Sequence, residues 1–275
     1  MCPAVADGSS RKSVIGIDVG STYSKGLILS GAAILSWAVR PSGGDYRAAA
    51  DEVVSLVLEK AGLSADDIGR IVATGYGAGS VSLADESASD ISCHGRGISY
   101  LFPSVRTVVD IGGQFTRVFR LDGEGRVVTF VFSEKCAAGS GRLLQIIARI
   151  LQVDVGELGE LSLKSKKRVD FTTGCAVFSE SEAVSRIAEG AAKEDIAAGI
   201  NRALASKAQA LVERVGFEPD CAVVGGGAKN VGLVRNIEEM LKVAVSVPDE
   251  PQIVAALGAA LIAEEKAAPI RPAAD

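Results

Sequence analysis

The fold of this chain is decided by a motif that it contains twice, as Val14-Ile15-Gly16-Ile17-Asp18-Val19-Gly20-Ser21-Thr22-Tyr23-Ser24-Lys25 and as Val108-Val109-Asp110-Ile111-Gly112-Gly113-Gln114-Phe115-Thr116-Arg117. The second copy repeats the first at a constant offset of 92 residues, which carries Asp18 onto Asp110 and Lys25 onto Arg117. Each copy is a β-branched apolar run that enters a glycine-rich polar turn, a pattern typical of a strand before a tight turn. The repeat predicts two related lobes.

The residue types in both turns suit the phosphate groups of a nucleotide. Glycine lets backbone N–H groups approach a phosphate, and an Asp at such a turn suits a hydrated Mg²⁺ ion. Two ordinary hairpins are the alternative explanation, because glycine-rich turns are common. The repetition favours phosphate binding, with two lobes holding one phosphate chain from opposite sides.

The candidate site residues follow from this interpretation. We expect Asp18 and Asp110 to hold the water ligands of Mg²⁺ and to orient hydrolysis. We expect the phosphates to be lined by the small, hydroxyl and basic residues of the two motifs, namely Gly20, Ser21, Thr22, Ser24, Lys25, Gly112, Gly113 and Gln114. For Lys25, the alternative is a surface base.

A third glycine-rich turn, Gly225-Gly226-Gly227, follows the short apolar run Ala222–Val224 and precedes a predicted helix. The positive end of that helix would point at the turn. After two phosphate-type turns, the third is best explained as the adenosine contact, formed by Gly225, Gly226, Gly227 and Asn230. A connection needed only for packing is the alternative.

Composition indicates a globular α/β protein. The chain has 275 residues, 48% of them hydrophobic, 31 glycines and few aromatic residues. Its net charge of −5 provides no basic field for nucleic acid or an anionic membrane. No stretch reaches the roughly 18 to 20 apolar residues that a membrane span needs. The N-terminus lacks the apolar core of a signal peptide, so we expect a cytoplasmic protein.

In each half, strands precede helices, which predicts two mixed sheets with helices packed on them. We expect a disordered tail at 1–12, a first lobe at 13–105, a second lobe at 106–265 and a frayed tail at 266–275. A duplicated order would need the last predicted helix, 252–265, to cross back to the first lobe. The other helices are predicted at 51–61, 142–151, 179–189, 196–215 and 231–241, and a hairpin is predicted from 116–121 and 126–132.

Two of the five cysteines stand out by position. An odd cysteine count without a CxxC pair argues against disulfides and against a zinc site within one chain. Cys136 and Cys175 each lie near the start of a predicted helix, where the thiol pKa is lowered. Two thiolates are half the complement of a four-cysteine iron–sulfur cluster, and a two-fold dimer would supply the other half. From the residues alone, buried inert cysteines remain the better explanation.

The three turns together resemble the actin, sugar-kinase and heat-shock ATPase superfamily, which implies duplicated ribonuclease-H-like lobes around a nucleotide cleft. The strings KCAAGSGR, CAVFSESEAVS, GIDVGSTYSKG, SCHGRGISYLFP, DIGGQ and ALGAALIA resemble the BadF/BadG/BcrA/BcrD family over nearly the whole chain. That family contains activators of 2-hydroxyacyl-CoA dehydratases and the ATPase subunits of benzoyl-CoA reductase.

The resemblance implies ATP-driven delivery of single low-potential electrons. It implies a dimer with ATP or ADP, Mg²⁺ and one [4Fe–4S] cluster shared between two subunits, with Cys136 and Cys175 as the ligands from this chain. The implied partners are a second family subunit, a ferredoxin-like electron donor and an acyl-CoA-binding iron–sulfur acceptor enzyme.

The chain departs from the family after DIGGQ, where activators usually carry Asp and this chain carries Phe115. The departure leaves open whether the second loop supports efficient hydrolysis. It favours a benzoyl-CoA-reductase-like ATPase subunit, in a heterodimer, over a homodimeric dehydratase activator. A small-molecule kinase of the same superfamily is the alternative from another class.

Two further features are noted for their position. His94 is expected to have a structural role in a polar loop beside Cys93. The basic run Lys164-Ser165-Lys166-Lys167-Arg168 is predicted to lie in a loop. Such a run is usually a solvated turn, and docking of an acidic ferredoxin is the alternative.

Overall fold

Each half of the duplicated sequence forms a five-stranded mixed sheet in the computed structural model, which describes residues 12–31, 33–133, 140–171 and 176–267. The first sheet has the order β3-β2-β1-β4-β5. Its strands are β1 (Ser13–Val19), β2 (Tyr23–Ser30), β3 (Ala33–Pro41), β4 (Ile68–Thr74) and β5 (Glu86–Ser87). The first three strands are antiparallel neighbours, and β4 and β5 continue the sheet in parallel with β1.

The second sheet repeats this arrangement strand for strand, in the order β8-β7-β6-β9-β10. Its strands are β6 (Thr107–Ile111), β7 (Thr116–Leu121), β8 (Val127–Phe132), β9 (Cys221–Val224) and β10 (Val245–Ser246). The first three are again antiparallel, and β9 and β10 are parallel to β6. The prediction of duplicated actin-like lobes is confirmed.

Every residue of the central strands β1 and β6 is buried, because helices pack on both sheets. The α-helices are α1 (Tyr46–Ala61), α2 (Asp90–Leu101), α3 (Gly141–Leu151), α4 (Leu158–Ser162), α5 (Ala176–Ala188), α6 (Lys193–Val215), α7 (Val231–Leu241) and α8 (Val254–Ala267). No helix in the described part of the chain is long and apolar enough to span a membrane.

The division into two units differs from the predicted boundaries. The first unit comprises the described residues within Met1–Gly97 and Ala255–Asp275, and the second is Ile98–Val254. The second unit therefore begins before residue 106, because Ile98 packs in one buried cluster with Val108 and Phe119. Nearly all of α8 belongs to the first unit rather than to the second lobe.

Glycines let α8 lie directly on its neighbours within the first unit. A Cβ atom at Gly16 of β1 would collide with the carbonyl oxygen of Ala256, and one at Gly258 would collide with the carbonyl oxygen of Cys93 in α2. Burial raises the pKa of the Cys93 thiol to about 11, so this cysteine is an unreactive core residue.

His94 lies in α2 and not in the predicted loop. Its Nδ1 is 2.9 Å from a carboxylate oxygen of Asp90, one helical turn earlier. The ring is buried, so the expected structural role stands while the expected loop is wrong. The short polar residues around His94 obscured the helical period in the sequence.

In the second unit, the buried carboxylate of Asp195 in α6 holds the basic run that follows α4. Its Oδ1 accepts hydrogen bonds from Ser165 Oγ at 2.8 Å and from the backbone N–H groups of Lys166 at 2.8 Å and Lys167 at 2.9 Å. The Lys167 N–H, followed by the other two donors, lowers the pKa of the Asp195 carboxyl below its ordinary value, against the opposite effect of burial.

The packing of α8 can be tested with Gly258→Ala. The added methyl meets backbone, which no side-chain rotation relieves, so we expect the free energy of unfolding to fall by about 2–3 kcal/mol. Urea denaturation measures this change. Gly79→Ala is the control, because a Cβ atom there has no neighbour within 4 Å. Equal stability of the two variants would contradict the close packing of α8.

The role of Asp195 can be tested with Asp195→Asn, which keeps the shape of the side chain and removes the charge. Because the folded-state pKa is lowered, the carboxylate stabilises the fold fully above its ordinary pKa of 3.8, and this contribution is lost as the pH falls through the folded-state value. We expect a loss of about 2 kcal/mol near neutral pH. Urea denaturation at several pH values should show the difference from wild type shrinking below 3.8. Glu194→Gln in the same helical turn should show no such pH-dependent loss.

Candidate functional site

In the first unit, Asp18 is held by an ion pair across the β1–β2 hairpin. The antiparallel register places Asp18 directly opposite Lys25, and Lys25 Nζ lies 2.7 Å from Asp18 Oδ2. The Asp18 residue is only 5% exposed, so the ammonium compensates a charge that would otherwise be buried alone. Lys25 is therefore not a surface base.

The second unit repeats this ion pair. Asp110 lies opposite Arg117 in the β6–β7 register, and Arg117 Nε donates a hydrogen bond to Asp110 Oδ2 at 2.9 Å. Arg117 Nη2 contacts the same oxygen. Asp110 is 1% exposed. The sequence repeat had matched Arg117 to Lys25, but Arg117 was not included among the expected site residues.

The two turns close in the same way. The N–H of Gly20 donates to the carbonyl oxygen of Tyr23 at 3.0 Å, and the N–H of Gly112 donates to that of Phe115 at 2.9 Å. The Phe115 ring packs edge-on against Phe132, with the centroids 6.3 Å apart. The turn tips contain Ser21 and Thr22 in the first unit and Gly113 and Gln114 in the second, and these residues are at least partly exposed.

A glycine at the end of a parallel neighbour strand lies against each aspartate. Gly225 follows β9, has φ of +81°, and leaves no space for a Cβ atom beside Asp110 Oδ1. Gly75 follows β4, has φ of +88°, and lies in the same way against Asp18 Oδ1. Gly75 was not found in the sequence analysis. Its signal is the apolar run Ile71–Thr74 followed by Gly75-Tyr76-Gly77.

Gly77 and Gly227 complete this second correspondence. A Cβ atom at Gly227 would press into Ile111, the residue after Asp110, and one at Gly77 would press into Val19, the residue after Asp18. The Gly225–Gly227 turn thus packs against the aspartate loop of its own unit. The turn therefore has a packing role, and the adenosine contact stays a prediction.

The side chain of Asn230 has a structural role that differs from the expected contact with adenosine. Its Oδ1 caps α7 by accepting a hydrogen bond from the N–H of Leu233 at 2.9 Å. The Asn230 and Asn201 amides exchange two hydrogen bonds. Asn230 is buried, because Gly232 and Gly159 bring α4, α6 and α7 close together around this network.

Ser24 also differs from expectation. It is fully buried, and its Oγ lies 3.0 Å from Ser42 Oγ. Successive residues of a strand point to opposite faces, so Ser24 points away from the face that presents Lys25. Its contribution is indirect, because Ser42 Oγ donates to the carbonyl oxygen of Gly20 at 2.6 Å.

The second aspartate loop is bonded directly to the start of α3. The N–H of Gly141 donates to the carbonyl oxygen of Gly112 at 2.9 Å, and the N–H of Arg142 donates to that of Gly113 at 3.0 Å. These are N–H groups that have no partner within the helix itself. A shift of the loop therefore reaches the helix through two hydrogen bonds.

Cys136 and Cys175 lie outside the described residues. The described helices begin close behind them, α3 at Gly141 and α5 at Ala176. Leu143 and Ile147 of α3 share one buried core cluster with Ala183 of α5, so the two helices belong to one packed body. Within the described residues, no group of three or more His, Cys, Asp or Glu side chains could hold a metal ion.

Comparison with known proteins identifies a family that this chain matches. A model of the BadF/BadG/BcrA/BcrD ATPase family matches residues 15–263. The protein named (R)-2-hydroxyglutaryl-CoA dehydratase activating ATPase, from Acidaminococcus fermentans, is 43% identical over 256 residues, covering 92% of this chain and 98% of the relative. One of the subunits of benzoyl-CoA reductase from Thauera aromatica is 33% identical, covering 77% of each chain.

Solved structures agree with this similarity. The activator of the 2-hydroxyisocaproyl-CoA dehydratase from Clostridium difficile, solved with bound ADPNP, superposes with a TM-score of 0.89. It is 42% identical in sequence, and the match covers 93% of this chain and 95% of that one. The region that matches the family model, residues 15–263, includes both aspartate loops.

The role of Gly75, the glycine that lies against Asp18, can be tested with Gly75→Ala. The substitution adds backbone strain at a positive φ and pushes against the Asp18 carboxylate, so we expect ATP hydrolysis to fall at least about tenfold, since small displacements at a reacting centre are costly. Gly62→Ala is the matched control, because Gly62 also has a positive φ, of +66°, but open space around it. A phosphate-release assay that finds both variants equally active would show that Gly75 does not position Asp18.

Proposed function

Because the chain belongs to the BadF/BadG/BcrA/BcrD ATPase family, we propose that it is an ATP-hydrolysing activator of a 2-hydroxyacyl-CoA dehydratase. The sequence analysis favoured a benzoyl-CoA reductase ATPase subunit on the strength of Phe115. The similarities support the dehydratase-activator alternative better, since the activating ATPase is 43% identical over 92% of this chain and the benzoyl-CoA reductase relative is 33% identical over 77%.

A mechanism that couples nucleotide binding to Cys136 is supported by two hydrogen bonds, which Gly141 and Arg142 donate to the Gly112–Gly113 loop. In this proposal, nucleotide at the loop shifts the two carbonyl oxygens and with them the N-terminus of α3. Cys136 lies five residues before α3 begins. ATP binding and hydrolysis are thereby coupled to the surroundings of that cysteine.

We assign Mg²⁺ and phosphate binding to the two aspartate loops. Carboxylate oxygens are the ligands that Mg²⁺ takes, usually one or two of them together with waters. Asp18 and Asp110 provide them, and Gly75 and Gly225 can pack against Oδ1 of each carboxylate because they carry no Cβ atom. Lys25 and Arg117, which neutralise the aspartates, are placed to exchange that contact for a phosphate oxygen.

The remaining site residues keep their predicted roles as part of the proposal. The backbone of Ser21, Thr22, Gly113 and Gln114 binds phosphate, while Gly20 and Gly112 line the phosphates and close the two turns with their N–H groups. Gly225, Gly226 and Gly227 contact adenosine through the backbone. Asp18 and Asp110 also orient the attacking water, which needs a fixed carboxylate position. The buried ion pairs supply that fixed position before nucleotide binds.

We further propose that Cys136 and Cys175 from each of two identical protomers ligate one [4Fe–4S] cluster. Such a cluster supplies one-electron storage at low potential. Thiolates at the start of helices are stabilised by the positive end of the helix dipole, and α5 begins at the residue after Cys175. By contrast, burial raises the pKa of the Cys221 thiol to about 12, which disfavours it as a ligand.

The proposed partners are a ferredoxin-like electron donor and a dehydratase that accepts the electron. The dehydratase would be an acyl-CoA-binding iron–sulfur enzyme, and the work would take place in the cytoplasm. The chain would act as a carrier that receives one electron at a time and releases it under control of ATP.

The function can be tested by anaerobic reconstitution. The protein, MgATP, a low-potential reductant and a 2-hydroxyacyl-CoA dehydratase are combined, and formation of the enoyl-CoA product is measured. We expect dehydration only when ATP and this protein are both present. Activity that benzoyl-CoA reductase partner subunits elicit, and a dehydratase does not, would favour the other branch of the family.

Iron content tests the ligand assignment separately. Cys136→Ser and Cys175→Ser should each abolish bound iron and the EPR signal of the reduced protein, against about four irons per wild-type dimer. Cys221→Ser is the control and should keep both. Iron binding that survives the loss of Cys136 or Cys175 would overturn the assignment.

A further inference from the structure

The basic run between α4 and α5 concentrates positive charge in a chain whose net charge is −5. Lys164, Lys166, Lys167 and Arg168 are all exposed. Arg168 pairs with Asp170. Within the described part of the chain, the three lysine ammonium groups form no ion pairs. They are available to a partner, and with Arg168 they define what we call the basic loop, residues 164–168.

The basic loop is held in place rather than left as a solvated turn. Asp195 accepts three hydrogen bonds from Ser165, Lys166 and Lys167 through one carboxylate oxygen. This residue is 4% exposed. A buried charge used to fix the backbone of two lysines presents their side chains in a defined arrangement, which lowers the entropy cost of binding.

The same face of α6 also holds the segment that follows the loop. Gly199 lies one turn after Asp195, and a Cβ atom there would collide with the carbonyl oxygen of Val169 and crowd the Phe171 ring. Arg202, nearly one further turn along, donates to the same carbonyl oxygen at 3.2 Å. Residues 165–171 are thus fixed along one side of α6 by positions that share a helix face.

Chain length places this loop near the proposed cluster ligand. Arg168 precedes Cys175 by seven residues, and seven residues span at most about 25 Å even when fully extended. The basic loop is therefore within that distance of Cys175, on the same packed body as α5. A carrier that docked there would approach the cysteine that we assign as a ligand.

We propose that the basic loop is the docking site for a small acidic iron–sulfur electron-carrier protein. The inference rests on the proposed function, because it assumes a cluster at Cys175. In the productive encounter one electron passes from the carrier, which is oxidised, to the cluster, which is reduced. No bond forms or breaks, and no proton is required.

The chemistry of the loop favours a transient carrier over a tightly bound partner. Exposed lysines steer diffusional encounter with an acidic surface and add little affinity at physiological salt. Redox partners use small, short-lived interfaces of this kind. The dehydratase is the competing occupant, and the experiment includes it.

The test uses the triple variant Lys164→Gln, Lys166→Gln and Lys167→Gln, with an acidic ferredoxin that carries two [4Fe–4S] clusters as the probe. The matched control removes three other exposed positive charges of the same unit, through Arg214→Gln, Arg235→Gln and Lys242→Gln. Binding of the oxidised ferredoxin is measured by biolayer interferometry at low and high salt. Cluster reduction by the reduced ferredoxin is followed in a stopped-flow instrument, with dithionite as the small reductant.

We expect the loop variant to bind ferredoxin at least about tenfold more weakly at low salt, and to be reduced at least about tenfold more slowly by it. The difference from wild type should shrink at high salt, where charges are screened. Reduction by dithionite and ATP hydrolysis should stay unchanged, and the control variant should behave as wild type.

Three results would overturn the inference. Loop and control variants that bind ferredoxin equally well would exclude the loop as the docking site. A loop variant that binds ferredoxin normally and fails only to activate the dehydratase would assign the loop to that enzyme. Protein without iron, which neither reductant changes, would overturn the proposed function itself and the inference with it.

Discussion

The structure depends on one interaction made twice, the ion pair between a buried aspartate at the end of a central strand and a base on the antiparallel neighbour. A buried carboxylate without a partner would be strongly destabilising. The hairpin register supplies the partner by placing Lys25 opposite Asp18 and Arg117 opposite Asp110. The turn between them must then have a fixed length, which is why the two motifs align without a gap.

The ion pair constrains what surrounds it. The parallel neighbour strand must end in glycine, because any side chain at Gly75 or Gly225 would meet the aspartate. In each unit, the buried carboxylate is therefore neutralised by a base on one side and packed against a glycine on the other. In the second unit, the same loop is hydrogen-bonded to the first residues of α3, so the loop that we propose to bind phosphate is directly linked to the helix that follows Cys136.

The two related lobes, the mixed sheets and most helices could be predicted from the sequence, because they depend on the repeated motif and on local patterns of apolar residues. The sequence missed Gly75-Tyr76-Gly77, since the equivalent glycines follow Asp18 by 57 residues and Asp110 by 115, and a fixed offset cannot find them. It did not reveal the structural hydrogen bonds of Asn230 and Ser24, whose partners Asn201 and Ser42 are distant in sequence. The return of α8 to the first unit was anticipated from the duplicated order, and the glycines that permit its close packing were identified only from tertiary contacts.

We propose that both ion-paired aspartates contribute to the binding of MgATP. The most direct measurement is calorimetric titration of MgATP into the wild-type protein and into Asp18→Asn and Asp110→Asn. The account predicts one nucleotide per chain, with each substitution weakening binding at least about tenfold through the lost charge contact. Two nucleotides per chain, or a substitution at either aspartate that leaves the affinity unchanged, would contradict it.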